Sequence, residues 1–159
     1  MNAHMTFPLS KARTFHFIGS LLTFRAGAAD TDGAFSLVEC RTAPGAGSPP
    51  HYQDDAEAFY VTEGHYEFTI DGKKQLCGPG DFAYVKPGVV HMFANADPTP
   101  SSMLIINLPG GPHEEFFMKV GDELAFETTE FPAPSAPDIP FIVAAAAEHG
   151  VTILPPPGA

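Results

Sequence analysis

Short apolar segments separated by glycine and proline constrain the fold of this chain more than any other feature. Its 159 residues include 15 glycines and 17 prolines, which fall between runs rich in Phe, Val, Ile and Tyr. Short apolar runs separated by glycine and proline are typical of an all-β sandwich or barrel. The predicted strands, in chain order, are 14–18, 20–25, 34–40, 58–62, 65–70, 73–77, 82–85, 91–95 and 102–107.

The character of the sequence changes after the last predicted strand. Pro112 can occupy the first turn of a helix, and the apolar residues that follow lie on one helical face as far as Leu124. Asp138 can cap a second helix that runs through Ala147 and stops at Gly150.

The organisation we expect is a single domain over residues 1–159. Its parts are an N-terminal strand arm at 14–32, a barrel core at 33–109 and a C-terminal helical segment at 112–150.

Composition excludes several classes of partner. The net charge of −11 argues against nucleic acid, whose phosphates attract clustered Lys and Arg, and against anionic membrane surfaces. No apolar run reaches the length of a membrane span, and no secretory leader is recognisable. Cys40 and Cys77 are too few for a disulfide framework. We therefore expect a cytoplasmic protein with free thiols that serve as small core residues.

Candidate metal ligands are concentrated just before the strand at 58–62. His51 and Gln53 are two residues apart, so they share a face if the segment is extended. Glu57 follows a short polar turn, and His91 begins a later strand. Two histidines with oxygen donors from Glu and Gln suit an open divalent metal site.

Each of these residues also has a simpler interpretation. His51 and His91 can be ordinary buried or loop histidines, and Glu57 an exposed carboxylate at a turn. Gln53 can ligate through its neutral amide oxygen, which would weaken binding relative to imidazole and favour Fe, Mn, Ni or Co. Alternatively, Gln53 hydrogen-bonds a water molecule on the metal.

Apolar side chains on the predicted strands are candidates for a substrate pocket. They are Phe59, Phe68, Phe93 and Met103. The alternative is that they belong to the barrel core, as buried apolar residues usually do. His113 is expected at the surface or on a lid.

The first polar segment resembles one of the paired motifs of the cupin superfamily, G-x5-H-x-H-x3-E-x6-G. The spacing is matched by Gly45, His51, Glu57 and Gly64, with Gln53 in place of the second histidine.

The second motif of that superfamily, G-x5-P-x-G-x2-H-x3-N, is similar to the segment that begins at Gly80. Gly88, His91 and Asn95 stand at the required positions, whereas Lys86 replaces the usual proline. The flanking segments DGAFSLVE and PGGPHEEFF also resemble single-domain quercetin-dioxygenase-like cupins.

The resemblance implies a cupin double-stranded β-helix, a jelly-roll barrel, followed by a short C-terminal helical segment. It also implies one divalent metal ion (Fe, Mn, Ni, Co or Zn) held by His51, Gln53, Glu57 and His91. Similar proteins pair, so a homodimer is expected. The apolar arm at 14–25 is the candidate for strand exchange.

The sequence is compatible with three functions. The leading one is a metal-dependent dioxygenase acting on a small organic substrate, aromatic or flavonol-like, with Glu57 as ligand or catalytic base. The second is a redox-neutral isomerase, lyase or cyclase that uses the metal as a Lewis acid. The third is a non-catalytic binding barrel with a weak or vacant metal site, which the glutamine at position 53 favours.

Overall fold

The computed structural model of the protein describes residues 6, 8, 11–126 and 128–159. The strands are β1 Arg13–Phe17, β2 Ser20–Ala26, β3 Ser36–Thr42, β4 His51–Gln53, β5 Ala56–Glu63, β6 Tyr66–Ile70, β7 Lys73–Cys77, β8 Phe82–Val85, β9 His91–Asn95, β10 Ser101–Leu108, β11 Asp122–Leu124 and β12 Val151–Ile153. The helices are α1 Pro112–Val120 and α2 Ile139–Glu148.

The strands form two antiparallel sheets around a shared core. The larger has the order β11-β1-β2-β3-β10-β5-β8, and the smaller has the order β12-β4-β9-β6-β7. Non-consecutive neighbours such as β10 with β3 and β9 with β4 show that the chain crosses between the sheets. This confirms the predicted all-β jelly-roll barrel with a short C-terminal helical segment.

Alternating side chains from the two sheets fill the core. On β10, Met103 and Ile105 point inward and are buried, while their neighbours are partly exposed. Phe59 of β5 packs against Phe68 of β6, with ring centroids 5.0 Å apart. These two strands lie in different sheets, so the contact joins the two layers.

All nine predicted strands are present, and those at 73–77, 82–85 and 91–95 have the predicted bounds. The expectation missed β4, β11 and β12, which have three residues each. A strand of that length is too short to show the alternation by which strands are recognised in a sequence. Pairing with neighbours in the folded chain defines these three strands.

Both C-terminal helices lie where the sequence predicts them. The Asp138 carboxylate accepts a hydrogen bond from the Phe141 amide at 3.1 Å, which caps α2 as expected. The first helix is shorter than its apolar pattern indicated, because Gly121 ends it and Leu124 lies in β11. Within the described part of the chain, no helix combines the length and apolar character needed to cross a membrane.

The N-terminal arm packs against its own chain. Phe15, Leu22 and Phe24 are buried, and the rings of Phe17 and Phe24 lie 6.1 and 6.4 Å from that of Phe117 on α1. The outer strand of the arm, β1, is covered by β11. The apolar arm therefore needs no second chain to bury it, and the homodimer itself stays a prediction.

Replacing Leu22 by Ala should destabilise the protein because the side chain is 2% exposed in the arm. Loss of a buried leucine typically costs about 2–5 kcal/mol. Leu76→Ala is the matched control, since Leu76 is 59% exposed on β7 and its loss should cost less than about 0.5 kcal/mol. Urea unfolding measures both, and equal small costs would contradict burial of the arm.

In place of the arm, which packs on its own chain, we propose the edge strand β8 as the interface of the homodimer, because Phe82 and Tyr84 are exposed there beside Tyr60 of β5. Exposed apolar side chains at a sheet edge favour pairing with another chain. Light scattering at micromolar concentration should give about twice 16.9 kDa. Phe82→Lys should lower that mass, whereas Leu76→Lys, on the edge of the other sheet, should not. A monomeric mass for the unchanged protein would refute the dimer.

Candidate metal site and adjoining cavity

Three predicted ligands meet between the two sheets. Potential ligand atoms of His51, Glu57 and His91 all lie within 4.8 Å of one another, and the three side chains are buried. The register of β4 and β9 places His51 directly opposite His91, and Glu57 comes from β5 in the larger sheet. Two ligands of one ion, each about 2.1 Å from it, lie at most about 4.2 Å apart. The cluster is therefore close to metal-binding geometry.

Backbone carbonyls orient both imidazole rings. The Nδ1 atoms of His51 and His91 lie 2.9 Å from the carbonyl oxygens of Pro49 and Val89, respectively. A carbonyl oxygen only accepts, so each Nδ1 carries a proton and donates. Nε2 is therefore the ring nitrogen that can bind a metal ion, because the hydrogen bond from Nδ1 fixes the tautomer and the orientation of each ring. In the structure Nε2 of His91 lies 2.9 Å from Oε2 of Glu57, which is an ion-pair contact when the ring is protonated.

Glu57 is held in its ionised form despite its burial. Burial raises the pKa of this carboxyl, but His113, His91 and His51 outweigh that effect, and the pKa is lowered to about 2. Asn107 lies opposite Glu57 in the β10–β5 register and donates from Nδ2 to Oε1 at 3.2 Å. For His51, burial and the neighbouring His91 lower the pKa to about 4, which favours the neutral, ligating ring.

Gln53 shares the inward face of β4 with His51 and is 1% exposed. Among residues 6, 8, 11–126 and 128–159, neither its amide oxygen nor its amide nitrogen has a hydrogen-bond partner. Leaving a buried polar group unpaired costs about 1–3 kcal/mol. A metal ion, or a water molecule on that ion, would satisfy the amide oxygen. The three clustered side chains therefore fit a divalent metal ion, and the unpaired amide oxygen of Gln53, on the same face of β4 as His51, is a candidate fourth donor.

A second polar network adjoins this cluster and was not expected from the sequence. The Asn107 Nδ2 atom lies 3.2 Å from Oδ2 of Asp55 and 3.1 Å from Nδ1 of His113. The expectation that His113 lies at the surface was wrong, because the residue is 3% exposed. The sequence did contain a signal. His113 precedes Phe116 and Phe117 by three and four residues, so it shares their helical face.

Burial lowers the pKa of His113, but the carboxylates of Glu57 and Asp55 outweigh burial, so the net shift is upward. His113 and Glu57 therefore support each other's charged forms.

A cavity of about 60 Å³ adjoins the cluster. His51, Glu57 and His113 contribute to its wall, together with a mainly apolar set of side chains: Phe17, Leu22, Phe93, Ile105, Phe116, Phe117, Val151 and Ile153. Cys40 also reaches the wall, and burial raises the pKa of its thiol to about 11, so the thiol stays protonated.

The four predicted pocket residues separate into two groups. Phe93 lies in the cavity wall. Phe59, Phe68 and Met103 are fully buried in the core and are not among the side chains that line this cavity. Their role in substrate binding stays a prediction without support from this cavity, and their core role is the one that the structure shows.

Comparison with known proteins identifies the fold. Residues 38–107 match the sequence profile of the family described as Cupin domain. No curated protein matches the chain. Similar solved structures include an RmlC-like cupin from Shewanella frigidimarina, with a TM-score of 0.59 and 18% identity over 68% of this chain and 93% of that one.

Two further structures have named activities. The oxalate decarboxylase of Bacillus subtilis has a TM-score of 0.59 and 21% identity, covering 69% of this chain but only 30% of the decarboxylase. The polyketide cyclase RemF of Streptomyces resistomycificus has a TM-score of 0.55 and 19% identity, covering 68% and 80%. At these identities the likeness concerns the fold. Residues 38–107 therefore match a cupin domain, and the chain has the cupin fold.

Proposed function

We propose that the protein is a metal-dependent enzyme that acts on a small, largely apolar organic molecule. This proposal rests on one observation. A buried His-Glu-His cluster lies directly beside a mainly apolar cavity. Enzyme sites commonly combine an apolar wall with a few convergent polar groups.

The proposed ligands are His51, Glu57 and His91, with Gln53 as the fourth ligand or as the partner of a water ligand. Imidazole and carboxylate donors suit Fe, Mn, Ni, Co or Zn. A metal ion there would supply a Lewis acid with open positions for substrate oxygen atoms. Glu57 is better suited to ligation than to catalysis as a base, because a carboxylate with a pKa of about 2 accepts a proton weakly.

The reaction proposed first is dioxygen chemistry of the quercetin-dioxygenase type. The apolar walls would hold a planar substrate and exclude water from the cluster. The cavity of about 60 Å³ is smaller than the ~150 Å³ cavity that takes up benzene, so a full flavonol would not fit and even a compact aromatic molecule would require the walls to move.

The redox-neutral alternative, an isomerase, lyase or cyclase, is favoured by a different observation. His113 brings an ionisable ring to the cavity wall, which suits reactions that move a proton. A decarboxylase and a cyclase are among the proteins that share the fold.

Two measurements separate the three functions. Elemental analysis of protein purified without added metal distinguishes both enzymes from a binding barrel with a vacant site. Oxygen consumption by the metal-loaded protein, with catechol and with 3-hydroxyflavone, then distinguishes dioxygen chemistry from redox-neutral chemistry. A metal-loaded protein that binds these compounds without consuming oxygen would contradict the dioxygenase.

Replacing His91 by Ala should abolish metal retention, because the change removes the ligand that contacts both Glu57 and the ring of His51. His65→Ala is the matched control, since His65 is exposed and lies outside the cluster. Elemental analysis of the purified proteins measures the effect. Unchanged metal content in the His91 variant would refute the assignment.

Replacing Gln53 by His should tighten metal binding, because imidazole is a stronger donor than a carboxamide for these ions. We expect roughly a tenfold gain, which corresponds to about 1.4 kcal/mol. Gln75→His, on the exposed face of β7, controls for an added surface histidine. Chelator competition measures the affinities. Equal affinities would place Gln53 outside the coordination sphere.

A further inference from the structure

A surface groove lies next to the cavity at the metal cluster. Its volume of about 770 Å³ is within the range of roughly 300–1,000 Å³ that small-molecule sites occupy, whereas the cavity holds about 60 Å³. Phe17 and Ile18 line both spaces, and the adjacent residues Ala46 and Gly47 line the groove and the cavity, respectively. The side chains of Phe17 and Ile18 therefore form the wall that separates the groove from the cavity.

Ile18 has a backbone conformation that its own side chain disfavours. It precedes Gly19 in the two-residue turn between β1 and β2, and the φ angles of the pair are 39° and 82°. Such turns select Asn, Asp or Gly at the first position, as at Asp71–Gly72 between β6 and β7, where the φ angles are 51° and 73°. A β-branched residue at positive φ is uncommon and strained. The turn does not require isoleucine, so the role of this side chain lies in the wall that it forms.

Hydrogen bonds hold this turn in place beside the groove. The amide of Ala43 donates to the carbonyl oxygen of Gly19 at 2.9 Å. The amide of Gly19 donates to Nε2 of His16 at 3.3 Å. Because the backbone is held at Gly19, an opening between groove and cavity depends on the side chains of Phe17 and Ile18, which are both partly exposed.

The groove suits an extended aromatic molecule without charge. Aromatic and proline side chains are prominent in its lining, including Phe131, Pro132, Pro134, Pro137 and Phe141. Phe141 is 46% exposed, so its ring is open to a bound molecule. Among the residues that the structure describes, neither Lys nor Arg lines the groove, and an anion would meet the carboxylate of Asp138. Prolines restrict the backbone of 132–137, so this wall is shaped before a ligand binds.

We propose that the groove is the outer part of the substrate site and takes the body of an extended, uncharged aromatic molecule. The side chains of Phe17 and Ile18 move aside, and the oxygen-bearing end of the molecule reaches the metal cluster. The small cavity then has to hold this polar end and not a whole ring system. The proposal rests on the proposed function, because the metal defines the inner end of the site. It adds a binding surface between the arm and the C-terminal segment, and it assigns control of access to Ile18.

Equilibrium dialysis with flavone tests the groove independently of any metal. Flavone has no hydroxyl group with which to chelate a metal ion, so its affinity should be the same for metal-free and zinc-loaded protein. Phe141→Ala should weaken binding roughly five- to tenfold, because an aromatic contact is lost. Phe126→Ala is the matched control, since Phe126 is 42% exposed and is not among the residues that line the groove. Absence of flavone binding, or equal affinities in the two variants, would overturn the groove as a site.

A chelating probe, 3-hydroxyflavone, tests the passage to the metal. Chelation through its hydroxyl and carbonyl oxygens moves its absorption band to longer wavelength. Zinc has no redox chemistry, so the zinc-loaded protein should show this band without consuming the probe, and the band should stay with the protein during gel filtration. Ile18→Gly should speed its appearance roughly tenfold, because the side chain that blocks the passage is removed and glycine accepts the positive φ. Asp71→Gly, the same change in the matching turn, should leave the rate unchanged.

The two probes separate failure of the groove from failure of the proposed function. If the protein retains no zinc, the proposed function fails and the passage with it, while flavone dialysis of the metal-free protein still decides whether the groove binds. A shifted 3-hydroxyflavone band without flavone binding would mean that the substrate enters elsewhere. Flavone binding without a shifted band, in the unchanged zinc protein and in Ile18→Gly, would show that the groove does not lead to the metal. Equal rates in Ile18→Gly and Asp71→Gly would refute the role of Ile18.

Discussion

The carboxylate of Glu57, buried between the two sheets, is the charge that the surrounding structure has to accommodate. An isolated buried carboxylate is costly, and it is tolerated only with close hydrogen bonds or opposite charges. Here Nε2 of His91 approaches one carboxylate oxygen at 2.9 Å, and Nδ2 of Asn107 approaches the other at 3.2 Å. His91 comes from the smaller sheet and Asn107 from the larger. The contacts that stabilise this charge thus join the two layers, and they also bring imidazoles to metal-binding distance.

Alternation of apolar and polar residues was enough to predict the strands that carry most of the fold. Each strand with four or more residues was expected. In contrast, β4 and β12 were missed, because the alternation of apolar and polar residues cannot be recognised over three residues. The spacing of His51, Glu57 and His91 was informative for a different reason. These residues stand at the positions of the paired cupin motifs, and that resemblance grouped His91 with residues far from it in the sequence; in the folded chain, pairing of β4 with β9 brings His51 and His91 together.

Side chains whose environment depends on distant elements could not be placed from the sequence. Alternation shows that Phe59, Phe68 and Phe93 can point inward, but only the packed barrel shows that Phe93 reaches the cavity. Asn107 and His113 meet because β10 ends where α1 begins, and the chain turns the helix back onto the barrel. The sequence shows that His113 lies on an apolar helical face, but it does not show which polar groups contact this histidine.

The proposed metal ligands and much of the cavity wall come from different parts of the chain. The proposed metal ligands all lie within 38–107, the part that matches the cupin domain. Much of the wall instead comes from flanking segments: Phe17 and Leu22 from the arm, His113 and Phe117 from α1, and Val151 from β12. Solved structures that share the fold cover only about two thirds of this chain, at about 20% identity. Because a substrate is selected by the groups that surround it, we expect selectivity to follow the arm, α1 and β12, while the central domain supplies the metal chemistry.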